Sequence, residues 1–235
     1  MNPTLNQNTF TYTGESVEPM TVSGTANKTF LLLILLGISA TLAWMQPILA
    51  GTFILVGGIG GFVVAMVTIF KKEWAATTAP IYAVLEGVVL GAISVLMNIK
   101  YPGIVLQAVF LTFATLASLL FAYKTGIVKA TQNFKLGVFA ATGGIAIFYF
   151  ISMILSFFKV NVPLIYSASP MGIAFSFFVV VIAALNLVID FDFIEQGANR
   201  GSPKYMEWYG AFALMVTLVW LYIEILNLLS KGRRR

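Results

Sequence analysis

The chain has 235 residues, of which 59% are hydrophobic and only 10% are charged, so its composition excludes an ordinary soluble domain and indicates an integral membrane protein. The 20 phenylalanines and 20 glycines agree with this class, because lipid-facing surfaces take bulky apolar side chains and packed membrane helices take glycine where backbones meet. The net charge of +5 is spread over short loops and a C-terminal cluster, which argues against nucleic-acid binding, and the lack of Cys and His excludes disulfides, thiolate ligands and imidazole chemistry.

The first 28 residues are rich in Asn, Thr, Ser and Gly and show no hydrophobic periodicity. They predict a flexible cytosolic arm, 1–28, and not a cleaved signal peptide, because the first apolar run begins only after Lys28 and is too long. A simple tether without further role is the plainest interpretation of this arm. A membrane domain over 29–230 and a basic tail over 231–235 complete the predicted organisation.

Seven apolar segments follow the arm, and each is long enough to cross a bilayer as a helix of about 20 residues. They are 29–47, 51–70, 78–98, 103–123, 136–158, 170–192 and 207–229. Short stretches containing Lys, Gly or Pro separate most of them. The sequence therefore predicts an all-α fold, a bundle of seven transmembrane helices.

The basic residues of the loops predict an orientation. If the spans alternate in direction, the side that holds the N-terminus carries Lys28, Lys71, Lys72, Lys124, Lys129, Lys135, Arg200 and Lys204. The other side carries Lys100 and Lys159 before the C-terminal cluster. This bias predicts a cytoplasmic N-terminus. The cluster itself opposes that arrangement, so either it is tolerated once earlier loops have fixed the orientation, or the last segment does not cross fully.

Two glycine patterns predict tight packing between helices. They are Gly57, Gly58, Gly60 and Gly61 in the second span, and Gly87 with Gly91 in the third. Small residues let helix backbones approach closely in membranes. We expect these two spans to lie against close neighbours, with packing as the simplest role of the glycines.

Three carboxylates lie inside spans or at their edges: Glu86 in the third, Asp190 in the sixth and Glu224 in the seventh. An ionised group at bilayer depth costs several kcal/mol, so such residues usually face a protein interior or a water-filled path and move protons or ions. Glu86 has no Lys or Arg near it in sequence, and its partner is expected on another helix. A protonated carboxyl with a purely structural role is the alternative.

Further polar residues accompany the last two acids. Asn186 and Asp190 are four residues apart and share a helix face, whereas Asp192 points nearly the opposite way and is expected at the cytoplasmic surface. Asn227 lies three residues after Glu224 on the same face. The two acids are thus expected on polar stripes of otherwise apolar helices.

Two stretches near the C-terminus carry a resemblance to a known family. Asp190-Phe-Asp-Phe-Ile194 ends the sixth span, and Leu221-Tyr-Ile-Glu-Ile-Leu-Asn-Leu228 lies in the seventh. They resemble the Asp-x-x-x-Ile and Leu-Tyr-Leu-Asp-Ile-Ile-Asn-Leu stretches of the Bax inhibitor-1 family, and the seven-span layout extends the resemblance over 29–230. The resemblance implies a seven-helix fold with the last helix central. It also implies a pH-sensitive calcium leak in which two acids share a proton and close the pore.

The resemblance implies roles for particular residues. Asp190 takes the place of the sixth-helix acid, with Ca²⁺ passing near it, and Glu224 that of the seventh-helix acid; Lys71 or Lys72 supplies a basic latch. Here Glu replaces the family's second Asp, and Asp192 is an additional acid that joins the expected gating set.

Helix geometry leaves the pairing of the acids open. Asp190 lies about 10 Å from the cytoplasmic end of its predicted helix, and Glu224 lies about 25 Å along the returning one. Asp190 therefore meets Glu224 only if the connection is itself helical or the seventh helix begins well outside the bilayer. Otherwise Glu86 is the better partner.

The predicted function is a passive, pH-gated conduit for Ca²⁺ or another cation in a bilayer, most simply a bacterial plasma membrane, with no cofactor and no firmly bound metal. The alternative is a non-conducting regulatory protein that binds a membrane protease or another membrane-protein partner through its N-terminal arm. A retinal protein is excluded because 207–229 contains no lysine for a Schiff base. No enzymatic function is predicted.

Overall fold

The structure is a computed structural model that describes residues 18–160 and 162–234, and these residues contain seven long helices. They are α1 Val22–Trp44, α2 Ala50–Phe70, α3 Ala75–Lys100, α4 Ile104–Lys124, α5 Gln132–Phe157, α6 Pro170–Asn199 and α7 Met206–Gly232. A short helix, Pro163–Tyr166, precedes α6. All seven long helices are long and apolar enough to cross a membrane, which confirms the predicted all-α, seven-helix fold.

The helix α1 begins earlier than the hydropathy predicts, at Val22 and not at Thr29. Thr21 is its N-cap, since the threonine hydroxyl accepts a hydrogen bond from the backbone N–H of Gly24 at 2.9 Å. The first two turns are polar, so the apolar run starts only where the helix has already formed. The part of the predicted arm from Val22 to Lys28 is therefore helical, and residues 1–17 lie outside the described residues.

The described residues divide into two compact units. Among the described residues, the N unit comprises 18–102 and Asp192–Val216, and the C unit comprises 103–160, 162–191 and 217–234. The N unit thus holds α1 to α3 with the end of α6 and the start of α7. The C unit holds α4, α5, most of α6 and the second half of α7.

Glycines allow close helix contacts in the N unit. A methyl group on Gly91 would lie 2.1 Å from the carbonyl oxygen of Ala40, and one on Gly87 would lie 2.4 Å from that of Leu36, so α3 packs directly on the backbone of α1. On α2, a methyl group on Gly57 would lie 2.7 Å from the side chain of Val89. The prediction of tight packing is confirmed at these three glycines.

Not every glycine of the predicted pattern serves this purpose. A methyl group on Gly58 would meet no atom within 4 Å, because this residue lies on another face of α2. The sequence pattern alone does not separate the two kinds of position, since four glycines follow each other within five residues of α2.

The C unit has an apolar core between α5, α6 and α7. Ile145, Val179 and Ile182 are buried at its centre, and Tyr149, Phe175 and Trp220 pack against them. The helix α7 is the most buried of the seven described helices, with 67% of its most apolar stretch inside the protein. This burial agrees with the expectation that the last helix is central, and it explains why α7 is able to carry charged residues.

We predict that Gly91→Ala lowers the free energy of unfolding by about 1 to 3 kcal/mol, because the added methyl group must displace backbone atoms of α1. The matched control is Gly58→Ala, which makes the same change in a helix at an open position and is expected to leave stability unchanged or slightly higher. Unfolding by SDS titration in mixed micelles, followed by circular dichroism, measures both. Equal effects of the two substitutions would contradict the packing argument.

Candidate functional site

Glu224 is a buried carboxylate in the second half of α7, with only 4% of its surface exposed. Its Oε1 accepts hydrogen bonds from the Tyr149 hydroxyl at 2.9 Å and from the Trp220 indole N–H at 3.3 Å. Its Oε2 is buried and has no hydrogen-bond partner among the described residues. Half of the carboxylate is therefore fixed by aromatic donors, and the other half is left to accept a proton or a cation.

Tyr149 connects Glu224 with a cleft in the C unit. The cleft has a volume of about 300 Å³ and is lined by Tyr149, Ser152, Met153, Ser156, Phe157 and Ile165. Tyr149, Ser152 and Ser156 follow each other at helical spacing, so they form a polar stripe on one face of α5. The ring of Tyr149 thus borders the cleft, and its hydroxyl reaches the buried carboxylate.

Asp190 is fully buried in α6, at 0% exposure. One turn before it, Asn186 donates hydrogen bonds to the Thr142 hydroxyl of α5 and to the backbone oxygen of Ile182, both at 2.8 Å. The Asn186 Oδ1 is buried without a hydrogen-bond partner among the described residues. The predicted polar stripe on this helix therefore exists, and it faces α5 at Asn186.

Asp190 and Glu224 are not hydrogen-bonded to each other, although the resemblance implies a shared proton. Both hydrogen bonds that Glu224 accepts within the described part of the chain come from Tyr149 and Trp220. Asp190 lies about 14 Å from the end of α6, and Glu224 about 27 Å from the start of α7, at a rise of about 1.5 Å per residue. The two acids occupy different depths along antiparallel helices.

Lys231 lies in the last turn of α7, where only 1% of it is exposed. Its ammonium donates hydrogen bonds to the Ser176 hydroxyl at 2.8 Å, the Gly172 carbonyl at 3.1 Å and the Leu164 carbonyl at 3.4 Å. The sequence analysis assigns this residue to a basic tail at 231–235. In the structure it is a buried part of the helix, and the exposed residues begin at Gly232.

Glu86 belongs to the N unit and is only half-buried in α3. A methyl group on Gly61 of α2 would lie 3.3 Å from its Oε2, so the carboxylate faces the glycine surface of that helix. No hydrogen bond or ion pair reaches it from the residues that the structure describes. The expected partner on another helix is absent from that part of the chain.

A second buried carboxylate in the N unit is Glu207, in the first turn of α7, with 0% exposure. Its Oε1 accepts hydrogen bonds from the backbone N–H of Thr21 at 2.8 Å and from the Thr21 hydroxyl at 3.0 Å, and its Oε2 is paired with the ammonium of Lys28. A methyl group on Gly24 would lie 2.2 Å from Oε1. Glu207 therefore holds the N-terminal turns of α1 against α7.

The remaining predicted site residues have local contacts. Lys72 lies over the ring of Tyr209 at 5.8 Å, and Lys71 is exposed. Asp192 is half-buried and accepts a hydrogen bond from Gln196 one turn later. The side chain of Asn227 is half-buried, but it is not among the donors to Glu224.

Sequence reasoning missed four residues that surround the buried charges. Trp220 and Lys231 stand four residues before and seven residues after Glu224, so helical spacing places both on its face. Glu207 is an acid in the first turn of a helix, a position that favours negative charge. Tyr149 gives no such signal, because its contact with Glu224 depends on how α5 packs against α7.

These features define a class: the chain is a multi-pass integral membrane protein of seven helices with buried charged groups on its last helix. Within that class, the family model described as Bax inhibitor 1 like matches residues 2–234, so the chain belongs to this family. No curated protein matches the chain, and no solved structure does. The described residues contain no group of three or more acidic side chains placed to hold a metal ion.

We predict that Lys28→Met lowers the free energy of unfolding by about 3 kcal/mol, because it removes the closer and more buried of the two cations that pair with the buried Glu207 carboxylate. The double variant Lys28→Met with Glu207→Gln should recover much of this loss, since the buried charge is then removed as well. Lys204→Met is the control, because Lys204 is half-exposed and lies 3.9 Å from Glu207. Additive effects of the two substitutions in a double-mutant cycle would contradict the pairing.

Proposed function

We propose that this protein is a passive, pH-sensitive conduit for Ca²⁺ or another cation across the membrane in which it lies. The observation that supports the proposal most directly is the Glu224 carboxylate, which is buried in a membrane helix with one oxygen atom lacking a hydrogen-bond partner among the described residues. A carboxylate that served structure alone would be expected to have both oxygens bonded, as Glu207 has. The ionised Glu224 carboxylate attracts the cation, and the protonated, neutral carboxyl group no longer does.

In this proposal Asp190 and Glu224 are two acidic cation-binding residues at different depths of the C unit. Both are almost completely buried, and the cleft bordered by Tyr149 provides polar surface beside Glu224. Hard divalent cations prefer carboxylate, carbonyl and hydroxyl oxygens, and this region offers the Glu224 carboxylate and the hydroxyls of Tyr149 and Ser156 beside apolar side chains. Two successive sites also allow a cation to bind without being trapped.

A regulatory role through the N-terminal arm is the second candidate, and the contacts of Glu207 favour it because they fix the point from which the arm leaves the membrane domain. Deletion of residues 2–17 preserves Thr21, the N-cap of α1, and therefore tests the arm without damaging the helix. A conduit should conduct normally after this deletion, whereas an adaptor should lose its partner.

The proposal predicts that Ca²⁺ entry into vesicles containing the purified protein rises from about pH 5 to about pH 8, because ionised carboxylates attract the cation. Glu224→Gln cannot ionise and should flatten this dependence, and Asp190→Asn should reduce it. Glu195→Gln is the control, since Glu195 is an exposed acid on the same helix as Asp190. Flux unchanged by both buried substitutions would refute the conduit.

Tyr149→Phe should lower Ca²⁺ flux near neutral pH about tenfold, because it removes a hydrogen bond to a charged group. The same substitution should have no further effect in the Glu224→Gln background, where no ionised acceptor remains. A loss of equal size in both backgrounds would show that Tyr149 acts independently of Glu224.

A further inference from the structure

The ammonium of Lys231 occupies a site made of oxygen atoms. Its three hydrogen bonds end on two backbone carbonyls, of Leu164 and Gly172, and on the hydroxyl of Ser176. An ammonium group has three donors, so each of them finds an acceptor. Carbonyl and hydroxyl oxygens are also the groups that replace the hydration shell of a metal cation in a membrane protein.

The backbone around this site is held by other contacts. The N–H of Gly172 donates to the Ser169 hydroxyl at 3.1 Å, and a methyl group on Gly172 would lie 2.5 Å from the carbonyl oxygen of Ser167. Gly172 is therefore fixed in a crowded turn at the start of α6. Its carbonyl oxygen does not depend on Lys231 for its position.

Lys231 lies on the same face of α7 as Glu224, two turns further along the helix. The separation along the axis is about 10 Å. Leu164, which accepts one of the hydrogen bonds, directly precedes Ile165 in the lining of the cleft. A positive charge thus stands between the end of α7 and the carboxylate.

We propose that the Lys231 ammonium is a built-in blocking cation: it fills an oxygen site of the C unit that a permeating cation would otherwise occupy on its way to or from Glu224. The inference rests on the proposed conduit and extends it by assigning the cation site and its resident competitor. The site takes small cations that accept carbonyl and hydroxyl oxygens as ligands. Lys231 therefore lowers the cation flux, whereas Glu224 raises it by attracting the cation.

The test measures Ca²⁺ flux into vesicles that contain the full-length protein, at the same pH on both sides. A unit charge about 10 Å away, at an effective dielectric constant of about 20, alters the occupancy of a Ca²⁺ site by a factor on the order of a hundred, so Lys231→Ala is expected to raise the flux at least tenfold. Lys231→Arg keeps the charge and should conduct like the original protein. Arg233→Ala is the matched control, because Arg233 is an exposed cation two residues away that bonds to Gln107.

Chemical rescue separates blocking from a merely structural role. Methylammonium has the charge and N–H donors of the missing side chain, so it should restore low flux in Lys231→Ala and leave the original protein unaffected. Tetramethylammonium has the charge but no N–H donor and should not restore it. If Lys231→Ala is not recovered as folded protein, Lys231→Gln replaces it in the same assay: the amide keeps two donors but no charge, and raised flux is again expected.

The outcomes distinguish this inference from the conduit on which it rests. Flux that responds to Glu224→Gln but not to Lys231→Ala or Lys231→Gln overturns the blocking role and leaves the conduit standing. Raised flux in Lys231→Ala that methylammonium does not reduce also overturns it, because the substitution then only loosens the helix end. Flux in no variant, with no difference from empty vesicles, overturns both.

Discussion

The need to satisfy buried charge on α7 governs the rest of the structure. This helix carries Glu207, Glu224 and Lys231, which are each at most 4% exposed. A charge in a medium without water is stable only when other groups of the protein supply its hydrogen bonds and counter-charges. In the N unit these groups come from α1, and in the C unit from α5 and from the start of α6. The buried charges of α7 thus require, in each unit, neighbouring segments that supply hydrogen bonds or counter-charges.

The two glutamates of α7 are satisfied differently, and the difference separates structure from proposed function. Both oxygens of Glu207 are bonded, one to Thr21 and one to Lys28, so this carboxylate works as a link between two helices. Glu224 has donors on one oxygen alone within the described part of the chain. A group held on one side and open on the other is able to change its partner without disturbing the helices around it. That property is required of a residue that binds and releases a proton or a cation.

Hydropathy and helix spacing predict most of the fold but only part of the site. Apolar runs mark all seven helices, because their length is imposed by the thickness of a bilayer. They miss the first turns of α1, which are polar and owe their helical form to the Thr21 cap and to Glu207. The buried acids are visible in the sequence as misplaced charges, whereas Tyr149 is not, since its role follows from the packing of α5 on α7. The family resemblance supplies the acids by motif, and it implies a pair that shares a proton, whereas the hydrogen bonds to Glu224 in the described part of the chain come from Tyr149 and Trp220.

The placement of Lys231 changes how the basic C-terminus is interpreted. Counted as a loop residue, it opposes the predicted orientation, and it leaves open whether the last segment crosses completely. Helix α7 has 27 residues, or about 40 Å, and its last turn contacts the first turns of α6 through Ser176 and Gly172. The length of α7 is therefore sufficient for a full span. A lysine enclosed among oxygen atoms of the protein is not a headgroup anchor, so in the described part of the predicted basic tail the cations that remain exposed are Arg233 and Arg234.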